Sequence, residues 1–248
     1  MLLMSSIIKT KAFVLNKLDF GDTSKIANFY TMDFGRITGI IKGARSPKSK
    51  IGRTIDVMNF VELVFYKKEN REVQLVSQAD LISHYPNIKS DLEKLKYASA
   101  IMELVLRLTL EDDPHRRLFN GLERILDRLE KETTQPILLF GMFLKFFLEE
   151  IGYGLETEKC SVCQKKLINS GGVFYNHENG LMCEECSKNN LITYEFSLEL
   201  FNKMVCLSQR NNICSFTEDE LKEMISFFER FLIYHVDQFN GLKSLKIF

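Results

Sequence analysis

The 248-residue sequence contains no apolar run long enough to cross a membrane. Its greasiest stretch, residues 137–148, is interrupted by Lys145 and closed by Glu149 and Glu150, well short of the ~20 apolar residues a spanning helix needs. The apolar amino-terminal residues meet Lys9 and Lys11 too soon to form a signal-peptide core. A cytoplasmic protein is expected, and in that compartment the six cysteines are expected to be ligands or core residues and not disulfides. Net charge is missing too: 33 Lys and Arg balance 33 Asp and Glu, which by itself argues against a nucleic-acid-binding chain. There is no Walker phosphate loop, since neither Gly35 nor Gly43 is followed by Gly-Lys-Ser/Thr, and this argues against ATP hydrolysis. His84, His115, His177 and His235 stand apart from any nucleophile pattern. The acidic clusters at 111–113 and 149–150 fall at a helix-capping turn and a helix end, where solvated charge is a simpler reading than the magnesium site of a nuclease. No internal repeat and no low-complexity tract is present.

What the chain does have is unevenly distributed. Residues 1–85 hold thirteen Lys or Arg against eight Asp or Glu, an excess of five positive charges, and the remainder carries the matching negative excess. A local field can bind phosphate in a chain that is neutral overall. The same division separates two structural patterns. Residues 10–15, 26–32, 36–41, 55–66 and 73–82 are rich in β-branched and aromatic residues and are separated by turn chemistry, which predicts five strands. Five strands in about eighty residues suit a five-stranded oligonucleotide-binding (OB) barrel, and small barrels of other types fit the count as well. From Pro86 onward the period is helical. Ser90-Asp91-Leu92-Glu93 reads as a capping box, Asp113-Pro114 as a cap before a proline at the first helical position, and a third helix is expected over about 136–150. Thr217-Glu218-Asp219-Glu220 opens the most regular helical stripe, from Leu221 through His235 to Phe239. The expected fold is α+β: an amino-terminal five-stranded OB-type β-barrel over 1–85, a helical domain over 86–155 resumed at 191–248, and a cysteine ribbon inserted at 156–190.

That ribbon carries the strongest motif. Cys160-Ser-Val-Cys163 and Cys183-Glu-Glu-Cys186 are two CxxC knuckles with nineteen residues between them, within the spacing of a four-thiolate zinc site. Two intervening residues let a tight turn aim both sulfurs at one ion, and a second such turn completes a tetrahedron. Gly171-Gly172 and Asn179-Gly180 flank the segment between them and predict a hairpin that brings the knuckles together. Unpaired core thiols or a disulfide pair are the alternatives. A catalytic zinc with His177 nearby would need an open position that four thiolates do not leave. Cys206 and Cys214 lack a CxxC partner and are expected to be packing residues.

The second motif is cationic. Residues 36–53 carry Arg36, Lys42, Arg45, Lys48, Lys50 and Arg53 and no acidic residue. Arg36, Thr38, Ile40 and Lys42 share one strand face by their even spacing, and the strand then enters a Gly-, Ser- and Pro-containing loop with four more cations. A barrel face leading into a basic loop can track a phosphate backbone; a plain solvated loop is the alternative.

Gly21-Asp-Thr-Ser24-Lys25, Phe29-Tyr-Thr31, Gly35-Arg36 and Ile41-Lys42-Gly43-Ala44-Arg45 together resemble the amino-terminal signature of the bacterial RecO recombination-repair family. Phe147 to Leu155, with Gly152-Tyr153, resembles that family's lead into its zinc site, and Phe174 and Asn179-Gly180-Leu-Met-Cys183 match the approach to the second knuckle. Gly154 stands where the family often has proline. The matches spread in order over residues 7–190. The resemblance implies a non-catalytic, nucleoid-associated recombination mediator that binds single- and double-stranded DNA and anneals complementary strands. It implies work with RecR to load recombinase on DNA coated by single-stranded-DNA-binding protein (SSB), whose acidic carboxy-terminal tail the helical domain takes up. It also implies an oligonucleotide-binding barrel, a helical domain and a cysteine ribbon, which agrees with the one structural zinc expected on Cys160, Cys163, Cys183 and Cys186 and with DNA contacts expected from Lys25, Arg36, Lys42, Arg45, Lys48, Lys50 and Arg53. Arg107, Arg116, Arg117, Arg124 and Lys145 are the candidate rim for the acidic tail. The competing reading is a zinc-ribbon adaptor that binds proteins and not DNA.

Overall fold

A computed structural model describes residues 6–207 and 214–247. The chain packs as two compact units, one running to Thr133 and taking in the chain again from Lys243, the other Thr134–Leu242.

The first unit is built on five strands, β1 (Ser6–Phe20), β2 (Ser24–Thr31), β3 (Gly35–Ile41), β4 (Phe60–Lys67) and β5 (Val73–Ser83). They close a barrel in the order β1-β2-β3-β5-β4, with β1 and β4 completing the ring. All neighbours are antiparallel except β3 and β5. The alternation in β3 buries Gly35, Ile37, Gly39 and Ile41 and turns Arg36, Thr38 and Ile40 outward, as a strand with one face in a barrel core requires. Ala12, Val14, Phe29, Ile37, Val61, Leu63, Phe65 and Val76 fill the interior. A bulge between Val14 and Asn16 bends β1, so that it serves both neighbours.

Four helices follow within this unit: α1 (Lys50–Thr54) between β3 and β4, α2 (Pro86–Ser90), α3 (Leu92–Leu108) and α4 (Arg116–Lys131). The apolar stripe of α4 is buried at Leu118, Leu122, Ile125 and Leu129. Its Phe119 lies 5.3 Å from Phe13 and 6.1 Å from Tyr30 between ring centroids, so α4 covers one side of the barrel. Glu130 of α4 accepts from the backbone N–H groups of Asn87 and Ile88 at 3.0 Å, supplying α2 with the amino-terminal cap that Tyr85 does not provide.

The second unit contains α5 (Pro136–Glu150), the hairpin β6 (Val173–Asn176) and β7 (Gly180–Cys183), the short α6 (Glu184–Ser187), β8 (Tyr194–Phe196), α7 (Leu198–Cys206) and α8 (Glu218–His235). A final turn, α9 (Ser244–Ile247), belongs to the first unit, where Glu103 accepts from the N–H groups of Lys243 and Ser244. The α8 cap is the reciprocal box expected of Thr217 and Glu220. No helix among the described residues is long and apolar enough to cross a membrane.

Several expectations need correction. Asp91, not Ser90, caps α3, accepting from Glu93 and Lys94. His115, not Asp113, caps α4 by accepting from the Leu118 N–H. Residues 55–59 are not strand: Met58 lies at φ 69° and Asn59 N–H closes a turn on Asp56. The basic loop is partly helical, because Ser49 caps α1 through the Gly52 N–H. Phe239 lies beyond the end of α8. Cys206 and Cys214 are joined as a disulfide with Cα atoms 6.5 Å apart, a pairing that an eight-residue spacing outside any CxxC pattern did not signal.

Candidate metal centre and nucleic-acid interface

The four knuckle cysteines converge. The sulfurs of Cys160, Cys163, Cys183 and Cys186 all lie within 4.8 Å of one another, and Cys163 and Cys183 are 3.6 Å apart. Thiolates held at about 2.3 Å from a central ion in a tetrahedron stand about 3.8 Å from each other, so the four sulfurs have the spacing of one coordination shell. The first knuckle is shaped by Gln164 N–H on the Cys160 carbonyl and Cys160 N–H on the Lys165 carbonyl, with Gln164 in the left-handed region at φ 62°. It is tied to the hairpin by Ser161, whose N–H and hydroxyl both donate to the Leu181 carbonyl at 2.9 Å. Cys183 ends β7 and Cys186 sits in α6. Lys165 on the first knuckle and Glu185 on the second pair at 2.6 Å. Cys160 and Cys183 are buried, while Cys163 is exposed.

The environment prepares these sulfurs unequally. Burial disfavours the charged form of Cys160, yet the N–H groups of Cys163, Cys183 and Val162 more than offset it and bring this thiol to about 6. Hydrogen bonding to Cys163, with burial, pushes Cys186 up to about 12. A cation would relieve the crowding of sulfurs that compete for protons, and the all-thiolate donor set suits a soft or borderline metal. His177 is outside the cluster. Its Nδ1 lies 3.3 Å from the Tyr175 hydroxyl, and its ring stacks on Tyr234 at 3.7 Å.

The ribbon's third strand was not anticipated. β8 pairs with β6 on the side away from β7, and Tyr175 of β6 joins its hydroxyl to His235 Nε2 of α8 at 2.9 Å. Tyr194-Glu195-Phe196 is too short to register as strand by periodicity, although its aromatic ends were a cue.

The cations of residues 25–53 divide into two groups. Lys42, Lys48 and Lys50 are exposed, and their ammonium groups have no hydrogen-bond or ion-pair partner among the described residues. The others are engaged. Lys25 donates to the Gly52 carbonyl, Arg53 to the Pro47 carbonyl, and Arg45 to the Gly21 carbonyl at 2.6 Å while also facing Asp19. These bonds fix the loop against the β1–β2 turn, as does Arg45 N–H on the Thr23 carbonyl. Gly52 allows α1 to pack there, since a Cβ would fall 1.8 Å from the Ala44 carbonyl oxygen. Arg36 is elsewhere, at the other end of β3, about 20 Å from Lys42 at strand rise. Its guanidinium pairs with Glu111 at 3.1 Å and donates to the Thr109 carbonyl. The candidate tail rim does not present a row of unengaged cations: Arg107 pairs with Glu103, Arg116 with Asp33, and the largely buried Lys145 with Glu149.

Comparison with known proteins covers almost the whole chain. Residues 4–85 match the family model "Recombination protein O N terminal", and residues 89–246 match "Recombination protein O C terminal". The "DNA repair protein RecO" of Chloroherpeton thalassium is 30% identical, over 98% of each chain. That of Alkaliphilus metalliredigens is 27% identical over 97% of this chain and 99% of its own. That of Chlorobium luteolum is 36% identical over 62% of this chain and 58% of its own.

Proposed function

Because the chain belongs to the RecO family of DNA repair proteins, we propose that it is a DNA-binding recombination mediator without a catalytic centre, acting on nucleoid DNA in the cytoplasm. In this reading residues 1–85 bind single- and double-stranded DNA, and the protein anneals complementary single strands. With RecR it helps load recombinase onto SSB-coated DNA, taking up the SSB tail through its helical part (86–155 and 191–248). The ribbon over 156–190 holds one structural zinc on Cys160, Cys163, Cys183 and Cys186.

The observation that carries the DNA-binding part is the trio Lys42, Lys48 and Lys50, exposed and with no partner for their ammonium groups among the described residues, on a loop braced against the barrel. Unpaired ammonium groups on a held backbone pay little reorganisation to meet phosphates, and each contact releases condensed counterions. Lys25, Arg45 and Arg53 add positive field while keeping the loop in place. Arg36, given to Glu111 and Thr109, acts in this scheme by holding the link after α3 to the barrel. Covering the phosphates of one strand lowers its repulsion of a second and leaves bases free to pair, so annealing needs no nucleotide.

The test is a salt titration of a labelled single-stranded oligonucleotide. Lys42→Ala with Lys48→Ala should weaken binding and flatten the slope of log affinity against log salt by about 1.4, at ~0.7 per contact. Wild-type affinity and slope in the double variant would remove this loop from the DNA site. Annealing of complementary strands should proceed without ATP.

A further inference from the structure

We propose that Cys206 and Cys214 are a site of reversible thiol oxidation, closed by a low-molecular-weight disulfide and reopened by the corresponding thiol. Its closed form fastens the last turn of α7 to the start of α8. Nothing in it depends on the DNA-binding reading above.

The six cysteines fall into two chemical states. Four converge in the ribbon, and all four are free thiols, although the sulfurs of Cys163 and Cys183 are only 3.6 Å apart. Cys206 and Cys214 are the bonded pair, with Cα atoms 6.5 Å apart, inside the range a disulfide spans. Both sets lie in the second unit, yet their needs are opposite. A four-thiolate centre needs its sulfurs reduced before they can take a metal. A disulfide that never opens belongs to an oxidising compartment, and one found among reduced thiols is usually transient or redox-sensing. A pair that closes and reopens reconciles the two. Accessibility sets the order of events: Cys206 ends α7 at 7% exposure, whereas Cys214 is partly exposed. The Cys214 thiolate attacks one sulfur of the small disulfide and releases a first small thiolate. Cys206 then attacks the Cys214 sulfur and releases the second. The two cysteine protons end on the two small thiolates, so one disulfide is reduced as one is formed, and reduction runs the same steps backward.

The neighbours of the pair define what it fastens. Lys203, one turn before Cys206 in α7, pairs with Glu220 of α8 at 2.5 Å and with Glu199 at 2.9 Å. Glu220 also accepts from the Thr217 N–H in the box that opens α8. The crossing from α7 to the first turn of α8 is therefore held twice, by an ion pair and by a covalent bond. Each can be removed without the other: Lys203→Met takes the ion pair, and reduction takes the bond. Met204, two residues before Cys206, lines a pocket with Phe228 of α8 and with Leu148 and Lys145 of α5. The closed bond steadies this wall of the pocket by cutting the freedom of the chain between its two ends. Reduction leaves the wall to the Lys203 pairs and to the buried side chains of Leu200, Phe201 and Met204.

The test is a redox titration of the full-length protein, as purified, in buffers of varied reduced and oxidised glutathione. Samples are quenched in acid, alkylated under denaturing conditions and mapped by mass spectrometry. Cys206 and Cys214 should lose their thiols together at ratios that leave Cys160, Cys163, Cys183 and Cys186 open to alkylation, and excess reduced glutathione should restore both. Hydrogen-exchange protection in the first turn of α8 should be at least about tenfold higher in the closed form than in the open one. Lys203→Met should lower that protection more in the open form than in the closed form, because only there is the ion pair the remaining fastening. Cys206→Ser with Cys214→Ser should behave as the open form at every ratio; if it does not fold, the wild-type titration and exchange decide. A pair that stays reduced until the ribbon cysteines oxidise overturns the proposal. So does a pair that stays closed in the native protein under excess reduced glutathione, which makes it a permanent staple. Equal protection of α8 in the two forms, or a glutathione adduct that persists on Cys214 while Cys206 remains a thiol, overturns it as well.

Discussion

Gly35 shows how much one residue can decide here. It sits at φ 63°, at the start of β3, and a Cβ there would fall 2.3 Å from the Asp113 carbonyl oxygen. Two costs add for Gly35→Ala: the left-handed conformation, ~1–2 kcal/mol for a residue with a Cβ, and displacement of the backbone that links α3 to α4. We expect a loss of about 2 kcal/mol or more in chemical denaturation, with the next residue's Arg36–Glu111 pair disturbed. A loss under about 1 kcal/mol would mean that the link moves aside freely. The glycine was visible in the sequence as part of Gly35-Arg36. Its neighbour was not, because Asp113 is far away along the chain and meets it only in the folded unit.

Between elements, the contact most sensitive to solution conditions is the one holding β6 to α8. Tyr175 packs against Phe227 and Phe231 and bonds His235, while His177 stacks on Tyr234. Burial lowers the basicity of both histidines, and His177 lowers that of His235 further. A histidine whose folded pKa is depressed binds more protons unfolded than folded. Its contribution is thus complete above the ordinary histidine value of about 6.5 and declines as pH falls through it. Hydrogen-exchange protection of β6 and β8, corrected for the intrinsic exchange rate at each pH, should fall between about pH 7 and 5.5, and His235→Gln should reduce that fall. The same pH dependence in the variant would place its origin elsewhere. At this scale the sequence was partly legible. The β6–β7 hairpin followed from its glycines and α8 from its capping box, whereas β8 and α7 did not stand out. Short elements carry too few periods to distinguish themselves, and β8 is a strand only because β6 offers it a partner.

For the molecule as a whole, the metal should matter locally. The barrel core is closed by residues of β1 to β5 together with Ala44 and Ile55, all in the first unit, while the four cysteines lie in the second. Thiolate ligation couples metal binding to ribbon folding. Protein purified without chelators should carry about one zinc per chain. Chelation, or Cys183→Ser, should abolish hydrogen-exchange protection in β6 and β7 and lower the melting temperature. Protection in β1 to β5 should persist. Loss of barrel protection on chelation, or the absence of metal from the native protein, would contradict this picture.

What the sequence by itself determined were features set by local chemistry. The strand alternation of β3 follows from the side-chain period of two, the α8 cap from Thr217 and Glu220, and the convergence of two CxxC turns from the geometry of four thiolates. Its matching motifs also identified the family. What only the tertiary structure decided were choices among chemically similar groups. The Lys42 and Lys48 ammonium groups have no partner among the described residues whereas Arg36 is spent on Glu111, Asp91 caps where Ser90 could have, and Cys206 meets Cys214. Each of these depends on which distant groups the closed barrel and packed helices bring within bonding distance, and sequence spacing does not encode that distance.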